Sequence, residues 1–426
     1  MILASKAKEA CLAGQYDVLF AQIYQDRAQV PYQRSRYAKA LSQYIQQYGD
    51  GAVEIYSAPG RTEIGGNHTD HQHGCVLAAA VNLDIIAIAG KTPQAIRIQS
   101  DELTLAPIET NSLSARGAER GTSEALVRGI CARFQALGYR IGGFDAFLTS
   151  DVLVGSGLSS SAAFEVMIAT ILNGLYNDMR LEPVLLAKAG QYAENEYFGK
   201  PCGLMDQCAS AVGGLTHLDF RDAQQPKVQK LSVDLSAFGY GLCIVDTKGS
   251  HADLTNEYAA IPQEMHSVAQ VFGQEYLRDV PEEVFYSQIA QVRQACQDRA
   301  VLRAMHFFAE NKRVSQQVAA LIRGDIDAFL HAVQASGNSS YKFLQNVYSC
   351  HEPQHQSISL ALAVSEKILE GQGGVCRVHG GGFAGTIQAF VPEKAIPCYK
   401  TQIENIFGEN TCHILKIRSD GGKKVL

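Results

Sequence analysis

The sequence has no apolar run approaching the ~18 to 20 residues that a membrane helix needs, no Cys-x-x-Cys pair and no surplus of basic residues. Each absence closes a class of function. The opening stretch Met1 to Ser5 is too short for a signal peptide, so a soluble cytoplasmic protein with no membrane partner is expected. The eleven cysteines are odd in number and scattered singly from Cys11 to Cys412, a pattern of free thiols in a reducing compartment. A net charge of −6 leaves no broad basic surface for nucleic acid. Repeats and low-complexity tracts are also missing. A chain of 426 residues is expected to hold more than one core, because single cores rarely grow past ~300 residues.

What is there falls into three polar, glycine-rich clusters. Residues 151–163, DVLVGSGLSSSAA, run into the apolar FEVMIATI and read as strand, glycine loop and helix. Gly155 and Gly157 allow close backbone approach, and the free N–H groups of the helix start face an anion. No lysine follows, so this is not a Walker A loop, and Ser159, Ser160 and Ser161 must supply hydroxyls where other loops supply a cation. Residues 57–74, SAPGRTEIGGNHTDHQHG, pack one arginine, two carboxylates and three histidines onto an expected loop between the strand signal 53–56 and the apolar run 75–89. His68, His71 and His73 lack zinc-site spacing, and a structural metal is not expected there. Residues 378–391 lead from a glycine triplet into an alternating strand; alone, such a triplet is equally a turn or a close backbone packing point.

Together, in this order, the three clusters resemble the galactokinases of the GHMP small-molecule kinase superfamily. The resemblance also takes in residues 143–146, 193–196, 201–210 and 245–247, and so covers roughly 52 to 395. It implies an α+β, two-domain fold with the active site in the inter-domain cleft and a left-handed β-α-β crossover in the first domain. It also implies ATP-dependent phosphorylation of a small-molecule sugar at its anomeric hydroxyl, with Mg²⁺ as the ion. Oligomeric state is not implied.

Residue by residue, the resemblance places Asp206 beside the anomeric hydroxyl as proton acceptor. It places Arg61 near both that aspartate and the terminal phosphate, where a cation keeps the carboxylate ionised and stabilises the transferring group. ATP would sit on Gly155, Ser156, Gly157, Leu158, Ser159, Ser160, Ser161 and Ala162. Ser161 and Glu194 match the family's magnesium ligands. Asn67, His68, Asp70, Gly203 and Tyr258 fall at sugar-contact positions; Asp70 is suited to accept from two ring hydroxyls, leaving a misplaced hydroxyl's epimer with an unpaired carboxylate.

The chain departs from the family in the first cluster. Asn67 stands where a glutamate accepts from the 6-hydroxyl, and an amide, unlike a carboxylate, can donate to a uronic acid. Galactose is the favoured substrate and galacturonate, or another galactose-type sugar, the alternative, since no new lysine or arginine accompanies the change. A non-catalytic galactose- and ATP-binding sensor is a second alternative. Such sensors have damaged serine loops; here 159–163 is intact.

Residues 1–48 read as two amphipathic helices forming an N-terminal extension with no chemistry of its own. Domains are expected at 49–222 and 223–426, the boundary falling in the polar stretch 222–227. Helices are expected over 182–198, which carries Glu194, and through 263–330, broken near Gly273 and Pro281.

Overall fold

The computed structural model describes residues 1–101, 103–153, 157–233, 235–249 and 254–426, and of Thr255 the backbone alone. Gly155 and Ser156, expected in the phosphate loop, lie outside the described residues.

The N-terminal extension forms β1 (Ile2–Leu3), α1 (Ala4–Leu12), α2 (Asp17–Tyr24) and α3 (Val30–Tyr48), three helices where two are expected. Then come β2 (Ala52–Gly65), β3 (Cys75–Thr92), β4 (Ala95–Ser100), β5 (Ile108–Glu109), α4 (Ser123–Ala136) and β6 (Gly143–Ser150). The phosphate-loop region leads to α5 (Ser160–Asn177), α6 (Pro183–Tyr192), α7 (Met205–Val212), β7 (Leu215–Asp219) and β8 (Lys227–Leu231). The remainder holds β9 (Tyr240–Asp246), α8 (Thr255–Val271), α9 (Glu282–Ser287), α10 (Ile289–Arg323), α11 (Ile326–Ser339) and α12 (Ser357–Leu369). It closes with β10 (Val375–Val378), β11 (Thr386–Pro392), α13 (Ile396–Phe407), β12 (Cys412–Leu415) and β13 (Lys423–Lys424).

The described strands make two sheets. The first runs β1-β2-β3-β6-β4-β5, with β13 also on β2 and the β7–β8 hairpin on β3; the second is β10-β11-β9-β12. The polar stretch 222–227 is therefore the turn of a hairpin inside the first sheet. This moves the crossover between sheets to after Leu231, later than the expected boundary at 222. β13 then returns the chain end to β2.

Side chains alternate across β2 and β3, as period-2 geometry requires. Tyr56, Ala58, Ala87 and Ala89 join the core beneath α4 to α7. Val53, Ile55, Ile86 and Ile88 join a separate core with Phe20, Tyr37, Leu41 and Tyr44 of the extension. The run 75–89 is apolar apart from Asn82 and Asp84 because helices cover both faces of its sheet.

Candidate active site

The first cluster is more regular than expected. β2 continues through Gly65, with register shifts between Pro59 and Arg61 and between Glu63 and Gly65, so Arg61 sits on a bulged strand and not on a loop. Bulges of this kind re-aim a side chain out of a regular ladder. Only residues 66–74 form the turn, and α10 of the second half holds it. Glu310 Oε1 accepts from the Gly66 N–H at 3.0 Å, His306 Nε2 donates to the Asn67 carbonyl at 3.0 Å, and Asn311 Oδ1 accepts from the Cys75 N–H at 2.7 Å.

Arg61 makes a two-pronged pair with Asp206 in the first turn of α7, Nε to Oδ1 at 2.7 Å and Nη2 to Oδ2 at 2.6 Å. Its third nitrogen, Nη1, donates to the Gly157 carbonyl, and its backbone N–H donates to the Leu158 carbonyl at 3.0 Å. One guanidinium thus joins the acidic residue of α7 to the glycine loop. The Arg61 side chain is 8 % exposed and that of Asp206 30 %, so the carboxylate keeps a face open for another molecule. Burial by itself would raise the Asp206 carboxyl, but the Arg61 charge and hydrogen bonds, with the Ser159 hydroxyl, outweigh it and hold the group below the ordinary aspartate range.

On the loop, Gly157 has φ 71° and its Cα hydrogens face His379, where a Cβ would come within 2.8 Å of Nδ1. His379 Nε2 in turn lies 3.0 Å from Thr62 Oγ1. The third cluster, through His379 just before its glycine triplet, is therefore a packing partner of both other clusters. Leu158 and Ala162 are buried, whereas Ser159 and Ser160 are half-buried and Ser161 exposed at the start of α5.

Asp70 lies over Gly203, where a Cβ would sit 2.1 Å from Oδ2; only glycine admits the carboxylate. The His68 Nε2 lies 3.0 Å from the Gly381 carbonyl and must donate to it, which leaves Nδ1 as an acceptor. Burial, with some help from the neighbouring His71, pulls the His68 ring down to about 4, so the imidazole is neutral at physiological pH. The Tyr258 hydroxyl donates to the Gly382 carbonyl at 2.9 Å, and burial pushes its phenol up to about 12.

Asn67 corrects an expectation. Its side chain is fully buried, with Nδ2 on both Glu63 oxygens at 3.2 Å and on the Gly380 carbonyl at 2.8 Å, and Oδ1 accepting from Asn346 at 2.8 Å. An amide has two donors and two acceptor sites, and these contacts use them within the protein. Asn67 is a tie between the first and third clusters, not a group facing a sugar, and the case for a carboxylate substrate loses its support.

Glu194 falls in a π-helical turn, Ala193–Phe198, that extends α6. Gln207, next to Asp206, donates from Nε2 to Glu194 Oε2 at 3.0 Å and to Glu165 Oε2 at 2.9 Å. Glu165 stands one helical turn beyond Ser161 on the same face of α5, so this bridge holds Glu194 against the face that carries Ser161. Burial first, and then the Glu194 charge, pushes the Glu165 carboxyl well above the ordinary glutamate value. Sequence reasoning missed Glu165 and Gln207; the signal available was a lone acid inside an apolar helix, which is uncommon unless it has a buried polar partner.

Two family models match the chain: the galactokinase galactose-binding signature over residues 42–91 and the GHMP kinases N terminal domain over 125–214. A galactokinase of Streptomyces coelicolor is 31 % identical over 363 residues, 84 % of this chain and 90 % of that one. A galactokinase of Actinobacillus pleuropneumoniae is 30 % identical over 386 residues, 87 % of this chain and 94 % of that one. Among solved structures, the fold is similar to Lactococcus lactis galactokinase complexed with galactose, with a TM-score of 0.77 at 21 % identity over 90 % of this chain and 98 % of that one. It is similar also to the Methanococcus jannaschii mevalonate kinase, with a TM-score of 0.61 at 15 % identity over 86 % and 99 % of the two chains. No helix among the described residues is long and apolar enough to cross a membrane. With three sequence clusters gathered around one Arg61–Asp206 pair, and with relatives aligned along most of its length, this chain belongs to the galactokinase family of the GHMP kinases.

Proposed function

We propose that this protein transfers the terminal phosphoryl group of ATP to the anomeric hydroxyl of galactose, with Asp206 and Arg61 as the catalytic residues. The observation that carries the reading is the Arg61 guanidinium, bound at once to Asp206 and to the Gly157 carbonyl of the glycine loop. A phosphoryl donor on the loop and an acceptor hydroxyl on Asp206 would meet at that cation. Phosphoryl transfer passes through a loose transition state, so positioning and charge stabilisation matter more than a strong base. A carboxylate held below its usual range suits this: it orients the hydroxyl and takes the proton late, as the new P–O bond forms. When phosphate shares Arg61, its hold on Asp206 weakens and the carboxylate becomes more basic at the moment the proton arrives.

The N–H groups at the start of α5 and the hydroxyls of Ser159, Ser160 and Ser161 suit the phosphates. Ser161 and Glu194 offer the hard oxygens magnesium takes, one hydroxyl and one carboxylate, with phosphates and water completing the shell. Bound there, the ion would offset phosphate charge. Glu194 is fixed for that duty by Gln207.

Asp70, His68, Gly203 and Tyr258 line the sugar side, and they favour a neutral sugar. His68 is uncharged, and the Arg61 fork is occupied by Asp206, so a substrate carboxylate would meet acidic groups and no free cation among these residues. ADP release with galactose is expected to exceed release with galacturonate; faster turnover of the acid, or no sugar-dependent release at all, overturns the reading. Gly203→Ala is expected to displace Asp70 and raise the KM for galactose by about tenfold or more, with the KM for ATP unchanged. Equal shifts in both constants would detach Asp70 from the sugar.

A further inference from the structure

The N-terminal extension reads as helices without chemistry, and the galactose-binding signature matches only from residue 42 onward. Yet α3 sends two side chains to the foot of the glycine loop. The Arg36 guanidinium places Nη1 2.7 Å from Asp84 Oδ1 and 3.0 Å from Asp151 Oδ2. Its Nη2 donates to the carbonyls of Asp84 at 2.8 Å and Thr149 at 3.2 Å. The Tyr32 hydroxyl donates to the other Asp151 oxygen at 2.8 Å. Asp151 is the first residue after β6, and its own N–H donates to the Asp84 carbonyl at 2.9 Å.

Asp84 is itself a fully buried anchor, accepting from Tyr24 at 2.9 Å and from Arg418 at 3.0 Å, with Ser57 of β2 alongside. The position of Asp151 is therefore set from α2, α3, β2, β3 and the C-terminal segment together. It is also passed on toward the site. Val152, the next residue, packs on Gly60, as does the Leu158 carbonyl that accepts from the Arg61 N–H. A shift of Asp151 would thus reach both the loop and the catalytic arginine.

We propose that α3 is a strut for the phosphate loop, and that Arg36 and Tyr32 are positioning residues which set ATP affinity through Asp151. The proposal rests on the ATP-dependent reading of the site, but nucleotide binding can be measured without turnover. Arg36 is nearly sealed, whereas Tyr32 is 51 % exposed, so Tyr32→Phe removes one hydrogen bond with little loss of packing. Arg34, on the same helix, pairs with Asp17 of α2 and provides a control that loosens the extension alone.

Arg36→Met is expected to raise the KM for ATP, and the calorimetric Kd for Mg·ATP without sugar, by about tenfold, with the KM for galactose within about twofold. Tyr32→Phe is expected to move the same constants in the same direction by less. Arg36→Lys should restore part of the loss, since it keeps the charge but not the fork. Arg34→Met should lower the melting temperature and leave both constants in place. If Arg36→Met fails to fold, Tyr32→Phe against Arg34→Met decides the matter alone. Nucleotide constants that stay unchanged, that move equally in Arg34→Met, or that move together with the galactose constant overturn the strut. A protein that binds Mg·ATP with this pattern yet transfers nothing to galactose supports the strut and overturns the kinase reading.

Discussion

Asp206→Asn is expected to lower kcat by about 10²- to 10⁴-fold while leaving the Kd for ATP nearly unchanged. The amide keeps the shape of the carboxylate and can still accept a hydrogen bond from the sugar, but it cannot take the proton. It also presents an N–H₂ toward Arg61, where two charge-assisted contacts stood. The variant should therefore lose stability as well, and that loss has a pH signature. A carboxyl whose folded pKa lies below its unfolded value contributes stability that is present above the unfolded value near ~3.9 and fades as pH falls through the folded one. The gap in melting temperature between parent and variant should be open at neutral pH and close in acid. Near-normal turnover by Asp206→Asn would send the proton elsewhere.

Arg61→Met is expected to cost about 10²- to 10³-fold in kcat, comparable with removal of one preorganised donor from a developing charge. It differs from the Asp206 variant in a second respect. Because Nη1 holds the Gly157 carbonyl, its loss should also raise the KM for ATP, so both kcat and the nucleotide constant move. The variant leaves a partly buried Asp206 without its cation. Breaking a sealed pair costs ~3–5 kcal/mol, and the open face of Asp206 reduces this to about half. Steady-state kinetics with each substrate varied in turn, together with a melting curve, separates the three effects. A variant that kept its kcat would remove the guanidinium from the chemistry.

Much of this was legible from residue types alone, and the limits have physical causes. The strand, loop and helix over 143–177 could be read because glycine and serine punctuate two apolar runs, and the structure places β6 and α5 there. The extent of β2 could not be read, since Pro59, Gly60, Gly65 and Gly66 look like loop punctuation, and it is cross-strand pairing with β3 that keeps this stretch extended. Asn67 was misplaced for a related reason. Spacing put it at a sugar-contact position, but its partners Asn346 and Gly380 lie some three hundred residues away in sequence, and only packing brings them to it. The stretch 222–227 reads as a domain boundary because a hairpin turn and a connection between domains share the same polar composition. The extension was the least legible part: its apolar stripe predicted packing, but the reach of Tyr32 and Arg36 to Asp151 depends on how α3 crosses the sheet.

The most direct test of the account is a structure of the protein with galactose and a non-hydrolysable ATP analogue, read as the distance from the Asp206 carboxylate to the anomeric oxygen. A separation of about 2.6–3.2 Å, with Arg61 touching the terminal phosphate, is the predicted result. An anomeric oxygen turned away from Asp206, or a terminal phosphate beyond the reach of Arg61, would contradict it.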